Sequence, residues 1–319
     1  MKVLNLTKLG KRRVSFYLAL EEYLLTNSSE EFFFLWDIGP SMVIGKHQLM
    51  EAEVNMDYVN KNNLFVYRRP SGGGTIYADD GCFMFTFVNR IKNKEIVFKK
   101  LGLIADALKS LGLDVCFSGR NDLLFKEKKF SGNAYYQNLD GSILHGTFLY
   151  NTDLENLVKS ITPDNEKLIS KGIESVRERV INLKEYLNIS KNEVMIHLNN
   201  FISKEKLELT KEEMVEVTEI EKKFLTKEWI YGNSPPYIYR NKNRFSYGNL
   251  EVFVDVYKGI VKNVDLKGDF LSVIELDDFL NSFKNIGFEK EKFEKILTEI
   301  DIASYISGAK NEDFISLLF

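Results

Sequence analysis

Apolar residues recur at helical spacing in VSFYLALEEYLL (14–25), which predicts a helix. The period then changes. FFFLW (32–36) and SMVIG (41–45) are unbroken apolar runs on either side of DIGP, and read as buried strands around a turn. LFVYR (64–68) and CFMFTFV (82–88) are two more strands, separated by a glycine run. EIVFKKLGLIADALKSLGL (95–113) returns to helical spacing and ends near Gly112, a residue type that closes helices. DLLF (122–125), KKFSGNAYYQ (128–137) and SILHGTFLY (142–150) alternate as a meander, with NLDG (138–141) at a turn. From about 152 to 228 the pattern is helical and charged. EWIYGNSPPYIYRNKNR (228–244) breaks it with Gly, Asn and Pro-Pro, which predicts a domain boundary. Beyond it, NLEVFVDVYKGIVKNVDLKGD (249–269) reads as a β-hairpin turning at Lys-Gly, followed by short helices. The expected fold class is α/β of the α+β kind: a large domain of mixed sheets and flanking helices over 1–242, and a small α+β domain over 243–319.

Composition narrows the function. A chain of 319 residues exceeds the roughly 250–300 at which a single core stops growing. Hydrophobic content of 44% excludes a disordered chain. A net charge of −3 without a long basic tract argues against a nucleic-acid partner. LGKRRV (9–14) and KNKEIVFKK (92–100) are short basic stretches, read as solvated faces or as docking patches for an acidic partner domain. Two cysteines, Cys82 and Cys116, make neither a disulfide framework nor a CxxC metal site, so a reducing, intracellular setting is expected. MKVLNLTKLGKRRV has no apolar signal core, and CFMFTFV is too short to span a bilayer. The expectation is a cytoplasmic protein without membrane attachment.

The candidate chemistry begins at RRPSGGGTIYADDG (68–81). Glycine permits positive φ and lets another group approach the backbone. Successive N–H groups in such a turn can cradle an anion. No GK[ST] follows, so this is not a Walker A loop, and a strand rather than a helix comes next, so it is not a dinucleotide fingerprint. Arg68 and Arg69 just upstream are suited to a carboxylate or phosphate. A second cluster, SGRNDLLFKEKKFSGNA (118–134), adds two Ser-Gly pairs, Asp122 and Lys129. Asp122 is a candidate for holding Mg²⁺ or orienting a ribose or adenine, and Lys129 for stabilising charge on an adenylate or leaving pyrophosphate. ILHGTFLY (143–150) puts His145 and Gly146 inside an apolar strand. There a core histidine is the commoner outcome, and the glycine implies close backbone approach. SKGIESVRERVINL (170–183) is a polar loop entering a helical pattern.

Taken in order, these motifs resemble the lipoate–protein ligase family: RRPSGGG before an aromatic strand, then SGRND, KFSGNA, LHGT and KGIESVRERVINL. LWDIGPSMVIGKHQ (35–48), WIYGNSPPY and the NLEVFVDVYKG hairpin extend the likeness over nearly the whole chain. The resemblance implies the biotin/lipoate ligase fold and a two-step reaction. Lipoate and Mg²⁺–ATP give lipoyl-adenylate, and the lipoyl group passes to a lysine of a 2-oxoacid dehydrogenase subunit or the glycine-cleavage H protein. It further implies that Arg69 and Ser71 touch the adenylate, and that Gly73 and Gly74 let it lie on the backbone beside Ile76 and Tyr77. Asn121 and Asp122 sit at the nucleotide, with Asp122 as the metal candidate. Lys129 is the catalytic candidate, and Ser131, Gly132 and Ala134 line its turn. His145, Gly146 and Thr147 line the ligand pocket, Trp36 walls it, and Lys171 to Arg177 close over it. The chain departs from the family pattern at Ala78, where many members have His, at His47, and at LHG in place of HHG. A rival of the same fold is an ATP-independent acyltransferase carrying the acyl group on Cys116. The alternative for Cys116 is a buried strand residue.

Overall fold

The protein is represented by a computed structural model that describes residues 1–46, 48, 50–118, 121–161, 176–231, 237–257 and 260–319. These form two compact units, Met1–Asn233 and Ser234–Phe319. His47, Gly119, Arg120, residues 171–175, the stretch 232–236 and the Lys-Gly pair at 258–259 were singled out in the sequence and lie outside the described residues.

The first unit is organised by eleven strands: β1 (Lys2–Leu4), β2 (Phe32–Trp36), β3 (Ser41–Ile44), β4 (Phe65–Arg68), β5 (Ile76–Ala78), β6 (Cys82–Asn89), β7 (Val115–Phe117), β8 (Asp122–Phe125), β9 (Lys128–Gln137), β10 (Ser142–Leu149) and β11 (Lys206–Leu207). Eight of them form one mixed sheet in the order β11-β1-β2-β6-β10-β9-β8-β7, and the other three a small sheet, β4-β3-β5. The unbroken apolar runs of β2 and β6 have a direct cause. Side chains alternate between faces with period two, and here both faces are covered. Phe33, Leu35, Phe83, Phe85 and Phe87 pack with the helices Leu101–Lys109 and Lys191–Ile202. Phe32, Phe34, Trp36, Met84 and Val88 pack on the other face with the helices Val14–Asn27 and Lys211–Phe224. The mixed α/β architecture expected from the sequence is the one found.

The buried strands read on either side of DIGP are found, and the turn carries the chain from β2 in the large sheet to β3 in the small one. Two other local readings change. The helix read over 95–113 is two, Lys94–Phe98 and Leu101–Lys109, joined by tight backbone bonds such as Lys100 N–H to Val97 O. The second helix then runs into a turn at Gly112, whose φ is 87°. Lys100 pairs with Glu31 at 2.8 Å, so that lysine of the basic stretch already has a carboxylate partner.

The second unit is a three-stranded antiparallel sheet, β12 (Tyr237–Phe245), β13 (Gly248–Tyr257) and β14 (Ile260–Gly268). Short helices close it around Phe279, Phe283, Phe293 and Phe314. Residues 237–242, placed in the first domain by the sequence, pair with β13 here. Their run of Arg, Asn and Lys hides a strand because β12 is an edge, where charged residues are the norm. No helix among the described residues is long and apolar enough to cross a membrane.

Candidate functional site

The glycine run links β4 of the small sheet to β5, and its shape is held from inside. Arg69 is 6% exposed. Its Nε donates to Ser71 Oγ at 3.1 Å, one terminal nitrogen donates to Val43 O at 2.9 Å, and the other donates to Gly72 O at 2.8 Å and Gly74 O at 2.7 Å. Burial lowers its pKa to about 10, which leaves it charged at neutral pH. Arg68 donates in the same manner to Gly45 O, Lys46 O, Gln48 O and Ile230 O. The two arginines read from the sequence as anion contacts thus shape the backbone that would meet the anion. That signal was invisible in the sequence, since Val43 and Gly45 lie more than twenty residues away.

The three glycines differ. Gly73 has φ 93°, a conformation that L side chains rarely adopt. Gly72 and Gly74 have ordinary φ and open space where a Cβ would stand. Gly73 answers to the fold, and the bareness of its neighbours does not.

Opposite the loop, β8 and β9 bring the second cluster together. Lys129 Nζ is 2.9 Å from Asp122 Oδ1, and the Lys129 side chain is 40% exposed. The carboxylate oxygen is buried without a hydrogen bond of good geometry, so this lysine is its charge partner only. Lys129 lies flat over Gly132: a Cβ there would sit 2.7 Å from both Cε and Nζ. Thr147 Oγ1 accepts from Gly132 N–H at 3.0 Å, so the Ser-Gly pair read as a turn lies within strand β9 and is tied to β10. The strand is also pinned at its start, where Ile181 N–H donates to Lys129 O at 3.0 Å and Lys128 Nζ to Arg177 O at 2.8 Å. The described end of the KGIESVRERVINL motif therefore abuts the lysine.

Asn133 was not singled out in the sequence and is buried at the centre of the cluster. Its Nδ2 donates to Asn121 O at 2.9 Å, and Asn121 Nδ2 donates to Asn133 O at 3.1 Å. Ser131 Oγ donates to its Oδ1 at 3.3 Å. Between loop and cluster lies a cavity of about 810 Å³ whose walls include Gly72, Gly73, Asn121, Asn133 and Ala134. Phe98, Phe117 and Tyr135 give it an aromatic wall, with the charged Lys94, Glu95 and Lys99 beside them.

The remaining predicted residues divide. His145 is 3% exposed on β10 and contacts Ser71 Oγ through Nε2 at 2.6 Å. Trp36 is 2% exposed, stacks on Tyr17 with ring centres 4.7 Å apart, and donates to Thr86 Oγ1 at 3.0 Å. Ile76 packs with the same core, and Ala78 is wholly buried in it. Tyr77 lies instead on a separate hollow of about 480 Å³ with Asp79 and Lys191, and burial raises its pKa far above the usual range. Cys116 is exposed rather than buried, on β7 at the edge of the large sheet. Its neighbour Phe117 lines the cavity, so strand alternation turns Cys116 away.

With this geometry in place, residues 13–202 match the family model of the lipoyl protein ligase A/B catalytic domain, well over half the chain. The chain belongs to that ligase family. Residues 234–318 match the bacterial lipoate protein ligase C-terminus, so both compact units are those of the family. The chain is 34% identical to a probable lipoate-protein ligase A of Mycoplasma genitalium, over 95% of each. Among solved structures it resembles a bipartite lipoate protein ligase of Thermoplasma acidophilum, studied with its E2 lipoyl domain: TM-score 0.65, 26% identity, 72% of this chain and 96% of that one. It also resembles a lipoate-protein ligase A bound with ATP: TM-score 0.63, 25% identity, 72% of this chain and 98% of that one. For a ligase of this family the arrangement is chemically apt. A carboxylate and a triphosphate repel, so the site of such a ligase needs cations and backbone donors to bring them together.

Proposed function

We infer that this chain is an ATP-dependent lipoate–protein ligase. In the first step a lipoate carboxylate oxygen attacks the α-phosphorus of ATP, the bond to the pyrophosphate oxygen breaks, and lipoyl-adenylate forms. In the second, a lysine amine of an acceptor protein attacks the acyl carbon and AMP leaves with the bonding electrons. The observation that carries this reading is the Lys129 ammonium, 40% exposed, paired with Asp122 and laid over Gly132, on the strand whose Asn133 and Ala134 wall a cavity together with Gly72 and Gly73. Lys129 would hold the negative oxygens of the acyl phosphate as charge shifts between them. Gly74 and Gly72 would let the ligand rest on the loop, and Arg69 would keep the loop in shape. Asn121, Ala134 and Thr147 would border the ligand, with Trp36 and His145 behind it.

Magnesium fits one donor. Asp122 Oδ1 is a buried carboxylate oxygen that, among the described residues, is paired with a cation and takes no hydrogen bond of good geometry. Among the described residues no group of three His, Cys, Asp or Glu could hold a metal. That suits an ion held by one carboxylate and by the substrate's phosphates. When bound, it would neutralise phosphate charge. The acceptor is proposed to be a lipoyl domain of a 2-oxoacid dehydrogenase or the glycine-cleavage H protein, in the cytoplasm.

Two experiments bear on this reading. An apo lipoyl domain is expected to gain a lipoyl mass only with lipoate, ATP and Mg²⁺, and equally well with Cys116→Ser. A gain without ATP that Cys116→Ser abolishes would establish the acyltransferase instead. The glycines give a second check. Gly73→Ala is expected to cost about 1–2 kcal/mol because its φ is left-handed, or roughly 2–8 °C of melting temperature. Gly74→Val is expected to melt like the parent and to lose adenylate formation. Equal activity in Gly74→Val would mean that no ligand lies over the loop.

A further inference from the structure

We propose that Glu21 is a positioning residue of this ligase, the common end of two buried hydrogen-bond chains that hold the glycine loop and Trp36 in place. The proposal rests on the ligase reading for its kinetic consequences and on geometry alone for its structure. Glu21 is 0% exposed, on the helix Val14–Asn27 where it lies over β6 and β10. Thr86 and His145 are cross-strand partners on the face below it.

The donors fix the direction of both chains. Arg69 Nε can only donate, so Ser71 Oγ accepts from it at 3.1 Å. The single Ser71 proton then points to His145 Nε2, 2.6 Å away. Nε2 is thereby an acceptor, and the imidazole proton belongs on Nδ1, which donates to Glu21 Oε1 at 2.9 Å and lies 3.0 Å from Oε2. On the other side Trp36 Nε1, a donor only, gives its proton to Thr86 Oγ1 at 3.0 Å, and Thr86 Oγ1 donates to Glu21 Oε1 at 2.6 Å. Every proton runs toward one carboxylate. None of the six residues is more than 6% exposed, so water cannot substitute for a missing partner. A carboxylate is the group that takes both chains, because it brings no proton of its own.

Glu21→Gln keeps the volume and breaks this logic. Its amide must offer N–H to one neighbour. Facing His145, it makes Nδ1 an acceptor and moves the imidazole proton to Nε2. Ser71 then meets two donors and its own proton has no acceptor, so the loop is released.

The test is ¹⁵N NMR of the His145 imidazole, identified among three histidines by His145→Gln, together with lipoate-dependent exchange of pyrophosphate into ATP. Wild type should show the Nδ1–H tautomer and Glu21→Gln the Nε2–H tautomer. Thr86→Val, which cuts only the Trp36 branch, should keep the wild-type tautomer. The exchange kcat should fall about tenfold or more in Glu21→Gln and in Ser71→Ala, and the double variant should be no worse than the lower of the two. An Nε2–H tautomer or an imidazolium in wild type overturns the proposal, as do an unchanged tautomer in Glu21→Gln or losses that multiply. Should Glu21→Gln fail to fold, the wild-type and Thr86→Val spectra decide. A wild type with the Nδ1–H tautomer but no lipoate-dependent exchange supports the relay and sinks the ligase reading.

Discussion

Lys129→Met is expected to lower lipoyl-adenylate formation roughly 10²–10³-fold and to leave the protein folded. The two halves of that result come from different features. The ammonium is a preformed, part-exposed positive charge on β9, the strand that supplies Asn133 and Ala134 to the cavity wall, and a group that meets developing phosphate charge contributes most in the transition state. Its fold contribution is small, because the pair with Asp122 is part-exposed and such pairs are worth about 0–1 kcal/mol. Methionine retains the stem that lies over Gly132. The measurement is lipoate-dependent pyrophosphate exchange beside a melting curve. Gly132→Ala supplies the complementary arm: its Cβ would stand 2.7 Å from Cε and Nζ, so it displaces the lysine without removing it. A Lys129→Met enzyme with parental exchange would remove Lys129 from the chemistry.

Gly146→Ala is expected to be strongly destabilising, and to inactivate the site as well. A Cβ there would lie 2.0 Å from Asn133 Oδ1 and 2.7 Å from Phe85 Cζ. Neither neighbour can yield easily. Phe85 is wholly buried in the core, and Asn133 is held by Asn121 and Ser131. Overpacking a core of this kind costs about 1–3 kcal/mol, and breaking a buried hydrogen bond adds about 1–3 kcal/mol more. Thermal or urea unfolding measures the sum. A variant as stable as the parent would mean that β9 and β10 separate more readily than their packing implies. Residual activity should be low even in the folded fraction, because displaced Asn133 carries Asn121 and the cavity wall with it.

Local and periodic features were legible in the residues alone. The unbroken runs of β2 and β6 announced strands buried on both faces, since only cover on both sides removes the polar alternation. The glycine run at 72–74 and the order of the Ser-Gly motifs marked the candidate loops. Glu21 left a trace too: it stands on the apolar stripe of Val14, Leu18 and Leu25, where a charge needs a partner. The sequence could not name that partner. His145 is 124 residues away, and the register of β6 against β10 alone sets His145 beside Thr86. The same holds for Arg69, whose acceptors are carbonyl oxygens without any side-chain signature, and for Cys116, whose strand is an edge that faces it outward. Periodicity shows which residues are buried. Which buried polar groups meet depends on tertiary packing, because hydrogen bonds form over about 3 Å between segments that the sequence holds far apart.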